Sequence, residues 1–570
     1  MTVEGQHDAG GTPDGEGLRE VEWQLSAPDL GQVRKWLSDH GPVTGLTFEQ
    51  RATRTIHDTY LDTNDWRIHR AGFALRLRED AGHTEATLKD LAPETAGVRI
   101  RREFSEPLPS AELDALAAGD GPVSIRVHAV AGPEPLKALF RVRTERECFA
   151  ALERGGEPAA EIALDDTVVA APDGGPSSRL TRVEVEALTD RPGLLAGLVG
   201  ELRSECALEP TVDSKYEVGL KVAGWDPRVS PELGSSTIDP ALSAGEVARA
   251  NLRRHLAAWL SHEPAARLGE DPEELHQLRV AGRRMETTLR VFEPWLPRAL
   301  VRQRPAWKTL IRALGVVRDL DVQLQELATF AGDPNAPPAA QLAPLRERLE
   351  LERRDARTRM LGTLDRPATR SLIRRMHDLL ARPGRPTRIG ADNPPAAVVA
   401  PQLIRRSFRQ LRKAARHARS DGTAAAHHAL RRRAKKLRYT IEAFDAFYGG
   451  DAQRLLRAIA RLQSCLGSHQ DAHVAAGRLQ AIATLRRNRL PSETLFLMGV
   501  LSERRCAKAA DAGRRVKKRY AKLRGRRWKE LRRAMDDLAH AHAHPAAAKR
   551  ARADAAKRAP ASQAGDPSGT

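Results

Sequence analysis

The chain has few cysteines and few aromatic residues, and it contains no long apolar run. Its four cysteines among 570 residues are far apart, and none belongs to a CxxC pair. This argues against a zinc site and a disulfide framework and predicts a reducing compartment. No run of eighteen apolar residues occurs, so no membrane-spanning helix is predicted. Because the first residues are also polar and acidic, unlike a signal peptide, we expect a cytoplasmic protein.

Charge is unevenly distributed along the chain. Residues 1–225 contain 25 Lys+Arg and 39 Asp+Glu, a net charge of −14, whereas residues 226–570 contain 68 and 35, a net charge of +33. The strongly basic second part predicts a polyanionic partner, which can be nucleic acid, an anionic membrane or polyphosphate. The length predicts two to four domains.

The chain divides into a β-rich first part and a helical second part. From residue 18 to about 222, alternating segments such as FALRLRE and SRLTRVEVEAL predict strands, with helices near 29–40 and 192–206. Residues 223–240 are rich in Pro, Gly and Ser and predict a linker. Residues 241–530 show helical periodicity throughout. Residues 1–17 and 541–570 have the biased composition of disordered termini.

The helical part contains an internal repeat. HQLRVAGRRMETTLRVF begins at His276 and HALRRRAKKLRYTIEAF begins at His428, an offset of 152 residues. The same offset relates LGVVRDLDV, from Leu314, to LGSHQDAHV, from Leu466. Two separate motifs that share one offset predict two similar helical bundles made by duplication.

Alternating charges in the β-rich part indicate a charged interior. Glu20 and Glu22 share one face of a strand, as do Glu184 and Glu186, and Asp165 ends the segment EIALD. A strand with one charged and one apolar face suits a barrel with a polar lumen. Clustered carboxylates repel each other unless a cation neutralises them, so they predict Mg²⁺ or Mn²⁺.

Cations are interleaved with these acids, and arginine forks match phosphate oxygens. The candidate phosphate-binding residues are Arg76, Arg78, Lys89, Arg101, Arg143, Arg146 and Lys215. A lumen with cations for phosphate and acids for a metal suits a triphosphate or polyphosphate chain. The alternative is that these residues lie on solvated outer faces of strands and form cross-strand ion pairs.

The same segments resemble the CYTH domain, the triphosphate tunnel metalloenzyme family. REVEWQL is similar to the family's opening ExExK motif, and HDTYLDTNDWRIHRAGFALRLRE, ATLK, RIRREF, EIALDD, RVEVEAL and SKYEVGL follow in family order across residues 18–222. The resemblance implies an eight-stranded antiparallel tunnel that hydrolyses triphosphates with a metal ion or, in some members, cyclises ATP. The acids that it implies as metal ligands are Glu20, Glu22, Asp165, Glu184 and Glu186.

One residue departs from the family pattern. The lysine that ends the opening motif is Gln24 here, and in related phosphatases that lysine helps to position the attacking water. Glutamine can still orient a water molecule, but it brings no positive charge. We therefore place Gln24 with Glu20 and Glu22 in the candidate catalytic set and expect reduced activity.

The repeated helical motif places basic residues on one helix face. His276, Arg279 and Arg283 fall at positions i, i+3 and i+7, and the second copy repeats this spacing. Like charges on one face repel unless an anion bridges them, although a solvated basic face is the alternative. The candidate anion-binding residues are His276, Arg279, Arg283, Arg284, His428, Arg431, Lys435 and Lys436.

These motifs resemble the CHAD domain, a helical module with conserved histidines, over residues 241–530. The resemblance implies two pseudo-symmetric four-helix bundles whose basic surface binds inorganic polyphosphate. The whole chain is thus predicted to be an α+β protein of two domains, a β-tunnel followed by an all-α domain. The sequence does not predict its oligomeric state.

Our leading hypothesis from the sequence is a cytoplasmic, metal-dependent triphosphatase or polyphosphate-processing enzyme. A non-catalytic polyphosphate-binding protein of polyphosphate granules is the second hypothesis, and Gln24 favours it. Nucleic-acid binding ranks lower, because aromatic residues for base stacking are few and no RNA-binding motif occurs. Adenylate cyclase activity also ranks lower, since nothing in the sequence predicts a base pocket.

Overall fold

A computed structural model describes residues 18–39, 44–91, 98–189, 192–227, 233–332, 338–381, 392–484 and 490–543. The termini expected to be disordered, at 1–17 and from 544 onward, lie outside the described residues, as does 228–232 of the expected linker. The chain forms two compact units, residues 1–231 with 261–275, and residues 232–260 with 276–570. The domain limits of 18–222 and 241–530 stay predictions.

The strands of the first unit form a closed antiparallel barrel. The order β1-β6-β5-β4-β3-β7-β8-β9 returns to β1, which pairs with β9, while β2 adds to β7 and β10 adds to β1. This confirms the predicted eight-stranded antiparallel tunnel. The strands are β1 (Leu18–Ser26), β2 (Thr47–Gln50), β3 (Arg54–Thr63), β4 (Phe73–Asp80), β5 (His83–Asp90), β6 (Val98–Leu108), β7 (Leu136–Leu152), β8 (Pro158–Ala170), β9 (Ser177–Ala187) and β10 (Glu209–Pro210).

Helices cover the outside of the barrel. They are α1 (Leu30–Asp39), α2 (Arg67–Arg70), α3 (Leu113–Ala118), α4 (Pro122–Ala131), α5 (Pro192–Glu205) and α6 (Lys215–Val222). The predicted helices near 29–40 and 192–206 are α1 and α5. The apolar face of β1, with Trp23 and Leu25, packs in one cluster with Trp36 of α1 and Leu198 of α5. Since neighbouring side chains on a strand point to opposite faces, this packing directs Glu22 and Gln24 into the barrel.

The second unit repeats one set of helices. Its elements are α7 (Ala244–Leu268), which also extends into the first unit, α8 (Pro272–Val291), α9 (Arg298–Val301), α10 (Arg304–Ala331), α11 (Ala339–Asp365), α12 (Pro367–Ala381), α13 (Ala396–Asp421), α14 (Ala424–Glu442), α15 (Asp445–Ala483), α16 (Ser492–Arg524) and α17 (Arg526–Ala543). α7 and α13 begin 152 residues apart, as do α8 and α14, and α10 and α15 end 152 residues apart. The predicted duplication is therefore visible in the helix boundaries.

The helical region extends beyond the expected end at residue 530. α17 continues to Ala543, because Leu531 and Met535 are buried and anchor it. At the other end, the described part of the expected linker buries Leu233 and Ile238 rather than leaving them in solvent. No helix within the described residues is long and apolar enough to span a membrane.

Candidate functional site

The barrel encloses a cavity of about 610 Å³ that is lined by acids and bases in nearly equal number. Among the predicted site residues, those that line it are Glu20, Glu22, Gln24, Glu184, Glu186, Arg76, Arg78, Lys89, Arg101, Arg146 and Lys215. The structure thus gathers eleven of the thirteen predicted residues of this part in one lumen. These charges lie inside the barrel and not on solvated outer faces.

At one side of the lumen, Lys89 bridges two carboxylates. Its Nζ lies 2.9 Å from Oε1 of Glu20 and 2.7 Å from Oε2 of Glu103. Burial raises the pKa of Glu20 to about 7 despite Lys89. Burial acts in the same direction on Glu103, but Lys89 and Arg76 outweigh it and lower the pKa of Glu103 to about 2. Glu20 is therefore the carboxyl group of this pair that holds a proton near neutral pH.

On the opposite wall, two cations and two acids form one network. Arg146 donates to both oxygens of Asp165, at 2.8 and 2.7 Å, and contacts Glu184 at 2.5 Å. Lys215 contacts the same two carboxylates and lies 3.0 Å from Glu184. Burial opposes ionisation of Glu184, yet Lys215 and Arg146 hold its pKa well below the usual range. Two positive and two negative charges thus neutralise each other here.

A third set pairs the arginines of β4 with β3. Arg78 donates to both oxygens of Asp58, at 2.8 and 3.0 Å, and Arg76 lies 3.9 Å from the same carboxylate and 3.6 Å from Glu103. Asp58 is 3% exposed. Burial would raise its pKa, but Arg76 and Arg78 lower it to about 2. Asp58 therefore stays charged and orients both arginines across the floor of the cavity.

Three carboxylates occupy one rung of the sheet. Glu22 of β1 pairs with Glu186 of β9, and Glu186 pairs with Glu161 of β8. We call Glu22, Glu186 and Glu161 the acidic rung; all three line the cavity. Like charges directly opposite each other are destabilising. Burial, and then the charges of acids that include Glu22 and Glu161, raise the pKa of Glu186 even though Lys89 opposes them.

The donor chemistry of the acidic rung fits a hard divalent cation, which prefers carboxylate oxygens. Glu22 is already paired with Arg101 at 2.8 Å, whereas no Lys or Arg among the described residues forms an ion pair with Glu186. As they stand, no three acidic, histidine or cysteine side chains in the described ranges are arranged to hold a metal ion. The excess negative charge is centred on Glu186, and it is the feature that a cation would neutralise.

Gln24 is held by its amide nitrogen. Nε2 donates to Oε1 of Glu22 at 2.9 Å and lies 3.5 Å from Oε1 of Glu184. These two acceptors fix the amide orientation, because the opposite orientation would place oxygen against carboxylate oxygens. Oε1 of Gln24 is buried and has no hydrogen-bond partner among the described residues. This oxygen can therefore accept a hydrogen bond from a bound molecule.

Two predicted residues are placed differently from the rest. Arg143 has a side chain that is 57% exposed, pairs with Glu145 and does not line the cavity. It is three residues from Arg146 on one strand, so the two side chains lie on opposite faces. Asp165 is fully buried, and its oxygens are engaged by Arg146 and Lys215.

Three acids of the site were not predicted from the sequence: Glu103, Glu161 and Asp58. Glu103 follows Arg101 by two residues and Glu161 precedes Asp165 by four, so strand alternation places each on the same face as a residue that was predicted. Asp58 required the β3–β4 register, in which it pairs with Arg78. That register cannot be read from the local sequence.

In the helical unit, the two repeats build the same ion pair. Arg279 contacts Asp319 at 3.5 Å, and Arg431 contacts Asp471 at 3.0 Å, with both pairs 40 residues apart in sequence. Each arginine lies over a glycine, since a Cβ added at Gly315 or Gly467 would come within 3.3 or 3.5 Å of its Nη2. The Nε atoms of both arginines are buried without a hydrogen-bond partner in the described ranges.

Basic residues from the two repeats also lie close together. Burial, together with the charges of Arg283, Arg431 and Arg279, lowers the pKa of Lys435 to about 7. Arg283 and Arg279 belong to the first copy, whereas Arg431 belongs to the second. We call Arg279, Arg283, Arg431 and Lys435 the shared basic face. The other two basic residues of the predicted anion-binding set are paired elsewhere. Arg284 contacts Glu442 at 3.0 Å, and Lys436 donates to Gln410 at 3.3 Å.

The two predicted histidines differ in exposure. His276 is half-buried and His428 is exposed. The adjacent His427 stacks on His469, with ring centroids 4.5 Å apart, and His469 meets His473 at 4.6 Å. Burial lowers the pKa of His469 to about 4, and neighbouring histidines add to this effect. His469 and His473 lie in the repeated motif LGSHQDAHV, which could have identified them.

Comparisons with known proteins agree with the two units. A family model for the CYTH domain matches residues 33–215, and one for the CHAD domain matches residues 250–480. The CYTH match begins after β1, although β1 supplies Glu20, Glu22 and Gln24 to the cavity.

Relatives and solved structures cover one or both units. Uncharacterized proteins from two strains of Mycobacterium tuberculosis are 27% identical over 521 residues, covering 84% of this chain and 93% of their own. The CHAD domain of Ricinus communis is 26% identical over 51% of this chain and 96% of its own, with a TM-score of 0.43. A candidate adenylyl cyclase from Hippeastrum, described as having a dominant triphosphatase activity, is 20% identical over 36% of this chain and 97% of its own, with a TM-score of 0.28.

Proposed function

The chain belongs to the proteins that join a CYTH domain to a CHAD domain, and on this premise we propose that its barrel hydrolyses inorganic triphosphate or polyphosphate with Mg²⁺ or Mn²⁺ while its helical unit binds polyphosphate. The observation that supports the barrel activity is the closed lumen, in which seven cations and the acidic rung line one cavity. Cations match phosphate oxygens, and carboxylates match a divalent ion.

Within this proposal the residues have distinct roles. Glu186, with Glu22, Glu161 and Glu20, would hold the metal ion. Bound there, the ion would neutralise phosphate charge and activate a water molecule. We leave Asp165 and Glu184 out of this set, because each of them contacts both Arg146 and Lys215, whereas Glu22 and Glu20 each pair with a single cation among the described residues. Their role is to keep these two cations extended toward the lumen, where they bind phosphate oxygens.

The cations on the Lys89 side of the lumen are also paired with acids. Arg101 forms an ion pair with Glu22, and Lys89 forms ion pairs with Glu20 and Glu103. Each cation is therefore held at the lumen before substrate enters. Such preorganisation lets the cations stabilise negative charge on the substrate with little rearrangement. Gln24 offers its acceptor oxygen to a water molecule, which can donate a hydrogen bond, whereas a phosphate oxygen cannot.

A second candidate function is polyphosphate binding without hydrolysis. Gln24 is the observation that favours it, because its amide nitrogen is bound to Glu22 and supplies no positive charge to an attacking water. One experiment separates the two functions. Purified protein is incubated with triphosphate, ATP or long-chain polyphosphate plus Mg²⁺ or Mn²⁺, and orthophosphate release is measured. Release from triphosphate or polyphosphate supports the enzyme, and tight binding without release supports the second candidate.

For the helical unit, the shared basic face supports polyphosphate binding. Four basic side chains lie together, and only Arg279 and Arg431 have an acidic partner among the described residues. A flexible polyanion can follow such a surface, and its affinity should fall with salt because counterions are released. Polyphosphate should displace DNA from the protein at equal phosphate concentration. If DNA instead displaces polyphosphate at physiological salt, this assignment is wrong.

A further inference from the structure

The second bundle contains a cavity of about 870 Å³ that is lined by none of the four residues of the shared basic face. We call it the α13–α16 groove. Its floor is apolar and includes Ala415, Ala418, Leu430 and Val516. Trp528, at the start of α17, lies at one end and stacks on Phe408 with ring centroids 3.7 Å apart and planes 2° from parallel. The volume is in the range of small-molecule sites.

Cations line both sides of this groove. They are Arg412, Arg416 and Arg419 on α13, and Arg514, Lys517 and Arg524 on α16. The spacing of each set places it on one face of its helix. No Asp or Glu of the described residues lines the groove. Of the six cations, only Arg514 has a carboxylate within ion-pair distance in the described part of the chain, Asp511 at 3.4 Å.

The cations converge and are not spread evenly. Arg524, Arg412 and Arg416 lie close enough to Tyr520 for their charges to act on the pKa of its phenol, although burial raises that pKa overall. These arginines come from two helices, so α13 and α16 both place positive charge near Tyr520, which lines the groove. Several positive charges around one point match a compact group of phosphates better than single carboxylates spaced along a peptide.

The groove is not a copy of the repeated basic face. The residues 152 positions before Arg412, Arg416, Arg514, Lys517 and Arg524 are Leu260, Pro264, Gly362, Asp365 and Leu372. The counterpart of Arg419 is Arg267, which is buried and pairs with Glu263. α16 and α17 also lie beyond residue 480, where the match to the CHAD model ends. Five of the six cations therefore belong to the second bundle alone.

We propose that the α13–α16 groove binds a nucleoside polyphosphate, with the phosphates on the converging arginines and the base at the aromatic end beside Trp528. An inorganic polyphosphate has no apolar or aromatic group that could pack on the floor of the groove or on its aromatic rings. A nucleobase stacks on such rings and buries apolar surface. The phosphates of such a ligand thus account for the cations along both sides of the groove. The base accounts for the apolar floor and for the aromatic rings at one end. This site is independent of the barrel activity proposed above.

The test is equilibrium binding of ATP to the full chain without metal, measured by calorimetry. Arg416→Ala with Arg524→Ala should weaken ATP binding at this site by at least roughly tenfold, since each loses a charge-assisted contact. Lys413→Ala with Lys518→Ala removes the same charge from the same helices, and neither residue lines the groove. This control should bind ATP as the unmodified chain does. Equal ATP affinity in both double variants would overturn the proposal.

Competition identifies the ligand class. Inorganic triphosphate should displace ATP from the groove only at roughly tenfold or greater excess, because it lacks the base. Equal competition would mean a plain phosphate site and would overturn the nucleoside assignment. If the groove variants instead lose affinity for an acidic amphipathic peptide and bind ATP normally, the groove serves a protein partner and the proposal is wrong. Phosphate release in the barrel should be unchanged in the groove variants, which keeps the two proposals separable.

Discussion

Glu186 of β9 lies directly opposite Glu22 of β1, and both side chains line the cavity of the barrel. Two like charges in such a cross-strand position destabilise the sheet unless a cation lies between or beside them. Arg101 neutralises Glu22, but Glu186 lacks an equivalent ion pair among the described residues. The proposed divalent-cation site rests on this relationship.

Replacing Glu186 should therefore weaken metal binding first. We expect Glu186→Gln to lower the affinity for Mn²⁺ by roughly 100-fold or more, because even residues that only support a metal ligand typically change affinity 10–100-fold. Binding can be measured by titration with Mn²⁺. Glu145→Gln is the matched control, since Glu145 lies on β7 and pairs with the exposed Arg143. Equal Mn²⁺ affinity in both variants would contradict the assignment of Glu186.

Asp165 should contribute to stability more than to metal binding. It is fully buried and accepts from Arg146 and Lys215, so Asp165→Asn leaves two buried cations undercompensated. Removing one partner of a buried ion pair typically costs about 3–5 kcal/mol of unfolding free energy. The neighbouring Asp166 pairs with the exposed Arg179, and Asp166→Asn should change stability little. Denaturant unfolding of both variants checks this, and equal stability would refute it.

Strand alternation explains which residues of this site could be predicted from the sequence. It correctly paired Glu20 with Glu22 and Glu184 with Glu186, and applied to Arg101 it would also have given Glu103. The same rule, had it been applied to Arg143, would have removed it from the predicted phosphate-binding set, because an odd spacing separates it from Arg146. The role of Asp58 in the site and the proximity of Arg283 to Lys435 could not be predicted. They depend on strand register and on how the two repeats pack, which involve residues far apart in the chain.

Gln24 allows a test of the altered opening motif. In Gln24→Lys an ammonium group would lie beside Glu22 and Glu184, the two carboxylates that now accept from the amide. It would add the charge that the family's lysine brings, so we expect faster triphosphate hydrolysis than in the unmodified protein. Gln24→Met, which removes the hydrogen bonds at similar size, should be slower. If Gln24→Lys binds triphosphate but still releases no phosphate, the non-catalytic function is favoured.

Polyphosphate binding should depend on pH through Lys435. Its pKa is lowered to about 7 by burial and by neighbouring arginines, and a polyanion would favour the protonated form. The complex therefore takes up a proton, and affinity should fall as pH rises through about 7, by up to roughly tenfold for one lost charge contact. Lys435→Arg stays charged and should show a flatter profile. Affinities measured between pH 6 and 9 test this, and identical profiles would exclude Lys435 as the source.

The central claim is that the barrel is a metal-dependent triphosphatase, and the most direct test is the initial rate of orthophosphate release from inorganic triphosphate by the purified protein. The rate is compared in Mg²⁺ or Mn²⁺, in a chelator, and again in Mg²⁺ for Glu186→Gln and Glu145→Gln. We predict release that requires the metal, is lost in Glu186→Gln and is retained in Glu145→Gln. Release that persists in the chelator, or is equal in the two variants, would contradict the account.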